Sequence, residues 1–286
     1  MSTLHSWQGL GRAAREHSGV LRWLPAVPGV PLSPDEDGPP GRPWQVDDPP
    51  EDRELAADGI RLWLLPEAAV PAFAERLGGV GVLSAAERAR MARLRTSGAR
   101  RRYFGARLLS RFALSEAAPV PPADWSFTTG RYGRPEPVRP PGGLRFNLSH
   151  TRGMLACVVS RGRACGVDIE RAAAPSETLQ ALQARFAPAE RAALAALRPG
   201  PRATQVMAYW VLKEAYLKAL GTGLLRAPDS FVLSAPHEPP VRVYDPPGTL
   251  RPQWHLSLLH PGPEHVLAVA TDGAAPGPLR LTRISG

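Results

Sequence analysis

YWVLKEAYLKALGTGL, Tyr209–Leu224, sets one glutamate and two lysines into an otherwise apolar stretch, then stops on Gly-Thr-Gly. Tyr209, Trp210, Val211, Leu212, Ala215, Tyr216, Leu217 and Leu220 point in most directions around a helix. The pattern predicts a helix over 203–220 that is buried on most sides. Gly221 is placed to cap it, and Gly223 permits another tight bend. Glu214 and Lys218 lie one turn apart, in the order that suits an ordinary surface pair. The apolar surroundings argue against a surface. Charges on a largely buried helix need compensation. A metal ion and a polyphosphate would supply it for Glu214 and for both lysines, Lys213 and Lys218.

Outward from this helix, shorter helices are expected over 176–185 and 188–197. Two strands precede them, Met154–Ser160 and Cys165–Glu170, with a tight turn at Arg161-Gly162. The tail alternates turns with short strands: SFVLSA, VRVYD, QWHLSLL, HVLAVAT and LRLTRI. Near the start, GIRLWLLP (Gly59–Pro66) reads as the first good strand. Ser84 and Glu87 then form a capping-box signature, and Ser97-Gly98 is expected to separate two helices. Residues 1–57 are rich in Pro, Asp and Gly and read as an irregular leader. The whole is an α/β (α+β) chain of two α/β halves, 58–143 and 144–286. Each is expected to carry a mainly antiparallel sheet packed on helices, since many turns are too short for helical crossovers.

The 286 residues carry 35 Lys plus Arg against 26 Asp plus Glu, a net charge of +9 that favours an anionic partner. Between Glu87 and Arg111 nine arginines face one acid, among them Arg95 and the run Arg100-Arg101-Arg102. Such a run repels itself unless anions or partner acids neutralise it. Cys157 and Cys165 form neither a metal pattern nor a disulfide framework. The first residues lack the apolar run of a signal peptide, and no stretch is long enough to span a bilayer. The protein therefore reads as cytoplasmic, with no membrane partner.

Three further groups could do chemistry. Asp168 and Glu170 flank Ile169 in a strand, so both carboxylates share one face while Val167 and Ile169 turn to the core. Such a pair suits Mg²⁺ together with phosphate oxygens, or else an exposed polar strand face. His150 closes RFNLSHT just past a strand, where it could satisfy a local hydrogen bond or donate to an anion. Glu190 follows Pro188 early in a helix, where a carboxylate suits the dipole and could also act as a base.

Taken together, these motifs resemble those of the 4'-phosphopantetheinyl transferases, specifically the larger Sfp-type with W-x-x-K-E-A. In order along the chain stand RYGRP (Arg131–Pro135, with arginine where the family has lysine), FNLSHT (Phe146–Thr151), GVDIE (Gly166–Glu170), RFxxxE (Arg185–Glu190) and WVLKEAYLKALGTGL (Trp210–Leu224). The resemblance spans roughly residues 58 to 275. It implies transfer of the phosphopantetheine arm of coenzyme A to a serine of an acidic acyl, peptidyl or aryl carrier protein, with release of adenosine 3',5'-bisphosphate. It further implies Asp168, Glu170 and Glu214 as Mg²⁺ ligands, with Asp168 also counted among the catalytic groups. Glu190 would be the base and Lys218 the group that neutralises the pyrophosphate. His150, Lys213, Lys218, Arg134 and arginines such as Arg95, Arg101 and Arg102 would contact coenzyme A. A monomer with pseudo-twofold symmetry follows, its pseudo-dimeric halves forming between them the cleft that smaller relatives build between subunits.

Three other readings compete. A nucleic-acid binder would use the arginine helices, but aromatic residues are not interleaved as stacking platforms and no named motif appears. Another Mg²⁺-dependent phosphotransferase would need a Walker A loop or kinase signatures, which are absent. A noncatalytic scaffold of the same fold would have no need of the candidate catalytic residues, all of which are present.

Overall fold

The computed structural model describes Leu55 and residues 59–130, 134–222, 225–276 and 279–284. The expected leader lies outside the described residues apart from Leu55, as do residues 131–133 of RYGRP and the expected bend at Gly223. The chain builds a mixed α/β architecture of separate sheets packed against helices. Strand β1 (Ile60–Pro66) leads to helices α1 (Val70–Arg76), α2 (Ala85–Ala92) and α3 (Ser97–Ala117). A small hairpin of β2 (Phe127–Thr129) and β3 (Pro135–Pro137) precedes the long strands β4 (Leu144–Thr151), β5 (Met154–Arg161) and β6 (Cys165–Arg171). Helices α4 (Ser176–Gln183), α5 (Pro188–Ala195) and α6 (Pro199–Leu220) follow. The remaining strands are β7 (Val232–Leu233), β8 (Val243–Tyr244), β9 (His255–Gly262), β10 (His265–Thr271) and β11 (Arg280–Arg283).

The first sheet has the order β11-β1-β5-β4, with β1 parallel to β11 and antiparallel to β5. The second, β6-β10-β9, is antiparallel throughout. Strands β4 and β5 come after residue 143, yet they share one sheet with β1: β5 pairs with β1, and β4 with β5. The sheet thus runs across the line at which the sequence divides into halves.

Alternation along β1 sorts the layers. Trp63 and Leu65 pack with α1 and α3, while Ile60, Leu62 and Leu64 meet Val167, Ile169, Leu267 and Val269 of the second sheet. Val266, Ala268 and Ala270 face α6 on the far side. Both sheets are therefore covered on both faces.

Local signals explain the helix ends. Ser84 and Glu87 close the predicted capping box reciprocally, at 3.2 and 2.9 Å. The break between α2 and α3 falls just before Ser97-Gly98 rather than on it, because Thr96 caps the second helix through the Ala99 amide at 3.1 Å. Gly221 ends α6 in the left-handed region, φ 69°.

Gly166 permits a close approach of strand backbone to helix backbone. A Cβ there would come within 2.5 Å of the Ala219 amide and closer still to the Ala215 carbonyl. Strand β6 thus lies against the backbone of α6, and this brings the side chains of Asp168 and Lys218 within reach of each other. Gly166→Ala is expected to cost about 3 kcal/mol or more, since backbone on both sides must give way. Urea unfolding would show it as a lowered midpoint at unchanged slope.

Candidate active site

The site forms where the edge strands β4 and β6 of the two sheets meet. An edge strand leaves backbone donors without ladder partners, and side chains of β4 take them up. Asn147 Oδ1 accepts from the Val167 amide at 3.0 Å, and Ser149 Oγ accepts from the Ile169 amide at 3.3 Å. Thr151 Oγ1 donates to Glu170 Oε2 at 3.2 Å. These three residues are two apart along one strand face, so FNLSHT and GVDIE meet as two sides of a polar seam.

Asp168, Glu170, Glu214 and Lys218 gather at this seam. Lys218 Nζ lies 2.7 Å from Asp168 Oδ1 and also donates to Ser149 Oγ at 3.0 Å and Val167 O at 3.1 Å. Ser149 Oγ in turn donates to Asp168 Oδ1 at 2.9 Å. Asp168 and Glu214 are buried, at 4% and 2% exposure. Asp168 Oδ2 and Glu214 Oε1 are buried without a hydrogen-bond partner. Burial and then the charge of Asp168 push Glu214 up to about 7 and Glu170 up to about 8. Two open carboxylate oxygens among three mutually repelling carboxylates call for a cation.

Mg²⁺ fits this donor set. It takes oxygen ligands and is held by one or two carboxylates plus water and phosphate oxygens, not by an all-protein cage. Among the described residues, no group of three or more His, Cys, Asp or Glu is placed to hold a metal ion.

A cleft of about 430 Å³ is lined by Glu67, Ala68, Ser97, Gly98, Arg101, Arg102, Arg152 and Gly153. Glu67 takes both Arg102 contacts at 3.1 Å, Arg101 at 3.3 Å and the Gly153 amide at 3.0 Å. Its pKa is lowered: burial opposes this, but the Gly153 amide and the two arginines outweigh it. His150 on β4 feels the charges of Arg102 in the cleft and of Lys218 beside the carboxylates. His150 is exposed, yet crowding by neighbouring protein, then the charges of Arg102, Lys218 and Arg107, push its imidazole down to about 4. It also lies within β4 rather than just past a strand.

Four expected site residues sit elsewhere. Glu190, read as a base, is 1% exposed and accepts from the Ala187 amide at 2.9 Å, the Leu233 amide at 2.8 Å and Lys213 Nζ at 2.8 Å. Lys213, read as a coenzyme A contact, is fully buried; it also donates to Pro228 O and Phe231 O. Adjacent helix positions point about 100° apart, so Lys213 enters the core while Glu214 faces the seam. Arg134 turns its guanidinium inward, to Lys218 O at 2.9 Å, Phe146 O at 2.6 Å and Cys165 O at 3.5 Å. Arg95 is exposed and does not line the cleft.

The residues that sequence reading missed are Asn147, Ser149, Thr151, Glu67 and Arg152. For the first three the signal was the alternation of FNLSHT, a polar residue at every second strand position. For Glu67 and Arg152 there was no local signal.

Fold and site together set a carboxylate–lysine group on β4, β6 and α6, and an arginine-lined cleft built from other residues. Comparison with known proteins specifies the class. The sequence pattern of the 4'-phosphopantetheinyl transferase superfamily matches residues 164–270, which span the second sheet and α4 to α6. The chain is similar to the 4'-phosphopantetheinyl transferase HetI of Nostoc sp., 31% identical over 227 residues, covering 78% of this chain and 92% of that protein. It is also similar to a phosphopantetheinyl transferase of Thraustochytrium sp., 31% identical over 253 residues, covering 77% and 86%. A 4'-phosphopantetheinyl transferase of Bacillus subtilis is 30% identical over 142 residues, covering 49% and 61%. The chain belongs to the 4'-phosphopantetheinyl transferase superfamily.

Proposed function

We propose that this chain is an Sfp-type, Mg²⁺-dependent transferase that moves 4'-phosphopantetheine from coenzyme A to a carrier-protein serine. The observation that carries this is the buried group of Asp168, Glu170, Glu214 and Lys218, with its two open carboxylate oxygens. The serine oxygen bonds to the pantetheine-bearing phosphorus. The bond from that phosphorus to the bridging pyrophosphate oxygen breaks, and adenosine 3',5'-bisphosphate leaves. Asp168 and Glu214, with Glu170 beside them, would hold Mg²⁺, which when bound offsets charge on the pyrophosphate oxygens. Lys218, fixed by Ser149 and Asp168, aims its ammonium at the leaving phosphate. The serine proton passes to Glu170, the least buried of the three carboxylates, because Glu190 is engaged in the core.

Arg101, Arg102 and Arg152 line the cleft assigned to the remaining phosphate of coenzyme A. The carrier is an acyl, peptidyl or aryl carrier protein whose acidity complements the net charge of +9. We read the enzyme as a cytoplasmic, pseudo-dimeric monomer in which a long helix, α3 or α6, packs on each of the two main sheets. Among the described residues no helix is long and apolar enough to cross a membrane.

Incubation with coenzyme A, Mg²⁺ and a panel of apo carrier proteins is expected to add one phosphopantetheine to a serine, read by mass spectrometry. Folded enzyme that modifies no carrier would refute the reading.

A further inference from the structure

We propose that Arg134 is a positioning residue that holds together the three elements carrying the catalytic groups. Its guanidinium donates to one backbone carbonyl on each of them. Lys218 O belongs to α6, which carries Glu214 and Lys218; Phe146 O to β4, which carries Ser149 and His150; and Cys165 O to β6, which carries Asp168 and Glu170. A planar fork with five fixed donors can serve three acceptors at once, which an ammonium on a flexible stem does poorly.

Each acceptor needs a partner. Lys218 O is among the last carbonyls of α6, which have no continuing helix to bond them; the Gly221 amide reaches the same oxygen at 3.2 Å. A cation there also suits the negative end of the helix dipole. Phe146 and Cys165 stand on strands that meet edge to edge, where no ladder joins β4 to β6. Beyond Arg134 the seam continues through Asn147, Ser149 and Thr151. Arg134 is thus its first stitch and also ties in the helix. The consequence falls on Lys218: its backbone is fixed by Arg134 while its ammonium is fixed by Asp168 and Ser149. Loss of the guanidinium frees the last turn of α6 and loosens the lysine from the seam.

This inference rests on the transferase reading, and its test separates the two. Arg134→Gln and Arg134→Lys are compared with the parent on coenzyme A and on 3'-dephospho-coenzyme A. The Gln variant is expected to lose about 10- to 100-fold in kcat on both substrates, as second-layer residues do. The ratio of the two kcat/KM values stays at the parent value, and Arg134→Lys recovers part of the loss. Hydrogen exchange of the metal-free, ligand-free protein over residues 214–222 is expected to speed up about tenfold in Arg134→Gln. A fall in kcat/KM on coenzyme A alone, with exchange unchanged, overturns the proposal and makes Arg134 a contact to the 3'-phosphate. Unchanged exchange together with unchanged kcat overturns it as well. Should the parent transfer nothing to any carrier, the transferase reading fails, and the exchange experiment still decides whether Arg134 joins these elements.

Discussion

At pH 8 without divalent cation, Glu214→Gln is expected to melt about 5 °C above the parent while losing about a hundred- to a thousandfold in kcat/KM for carrier modification. The two effects share one cause. Glu214 is 2% exposed, its Oε1 has no partner, and burial and Asp168 push its pKa up to about 7. An unfolded glutamate releases its proton near 4.5, so between 4.5 and 7 the folded state holds more protons than the unfolded one. Stability contributed by the protonated form is therefore full below about 4.5 and is lost as pH rises through about 7. Glu170, raised to about 8, extends the same trend upward. The shift on Glu214 corresponds to about 3 kcal/mol at most. Glutamine keeps the shape and never ionises, so it flattens this slope. Mg²⁺ is expected to raise the melting temperature of the parent, since it binds only the folded arrangement, and to raise that of the variant far less. A variant that melts below the parent at pH 8, or that keeps its kcat/KM, would sink the assignment of Glu214 to the cation.

The second large effect concerns stability alone. Glu190→Ala or Lys213→Ala is expected to cost about 3–5 kcal/mol, because each leaves a charge buried without its partner. The pair is not strongly favourable in itself. Despite a contact of 2.8 Å, burial pushes Glu190 up and Lys213 down, so desolvation outweighs their attraction. The double Ala variant should therefore be less damaged than the sum of the singles, with a coupling of about 1–3 kcal/mol in a denaturant cycle. Per folded molecule, Glu190→Gln is expected to transfer phosphopantetheine within a few-fold of the parent rate. Loss of kcat by orders of magnitude in a stably folded Glu190→Gln protein would instead restore this residue as the base.

Much of the site could be read locally. Period two placed Asp168 and Glu170 on one strand face, and period 3.6 placed Glu214 and Lys218 on one helix face; all four meet. The capping box at Ser84 was equally plain. Charge type alone misled where several elements compete for the same group. Lys213 and Glu190 had the chemistry of a ligand site but found each other first, because one step along the helix turned Lys213 into the core. Arg134 had the charge to meet a phosphate, yet three backbone carbonyls, one each on α6, β4 and β6, claimed it.

Repeating patterns are properties of the chain, so the sequence by itself determined the elements, their buried faces and the residue types that gather. The seam between the two sheets, the contact of Gly166 with α6 and the inward turn of Arg134 depend on which edges meet. Those meetings join residues 12 to 84 positions apart, as in Arg134 with Phe146 and Arg134 with Lys218. Only the tertiary structure decided them, because a buried donor or acceptor is satisfied by whatever lies nearest in space, not in sequence.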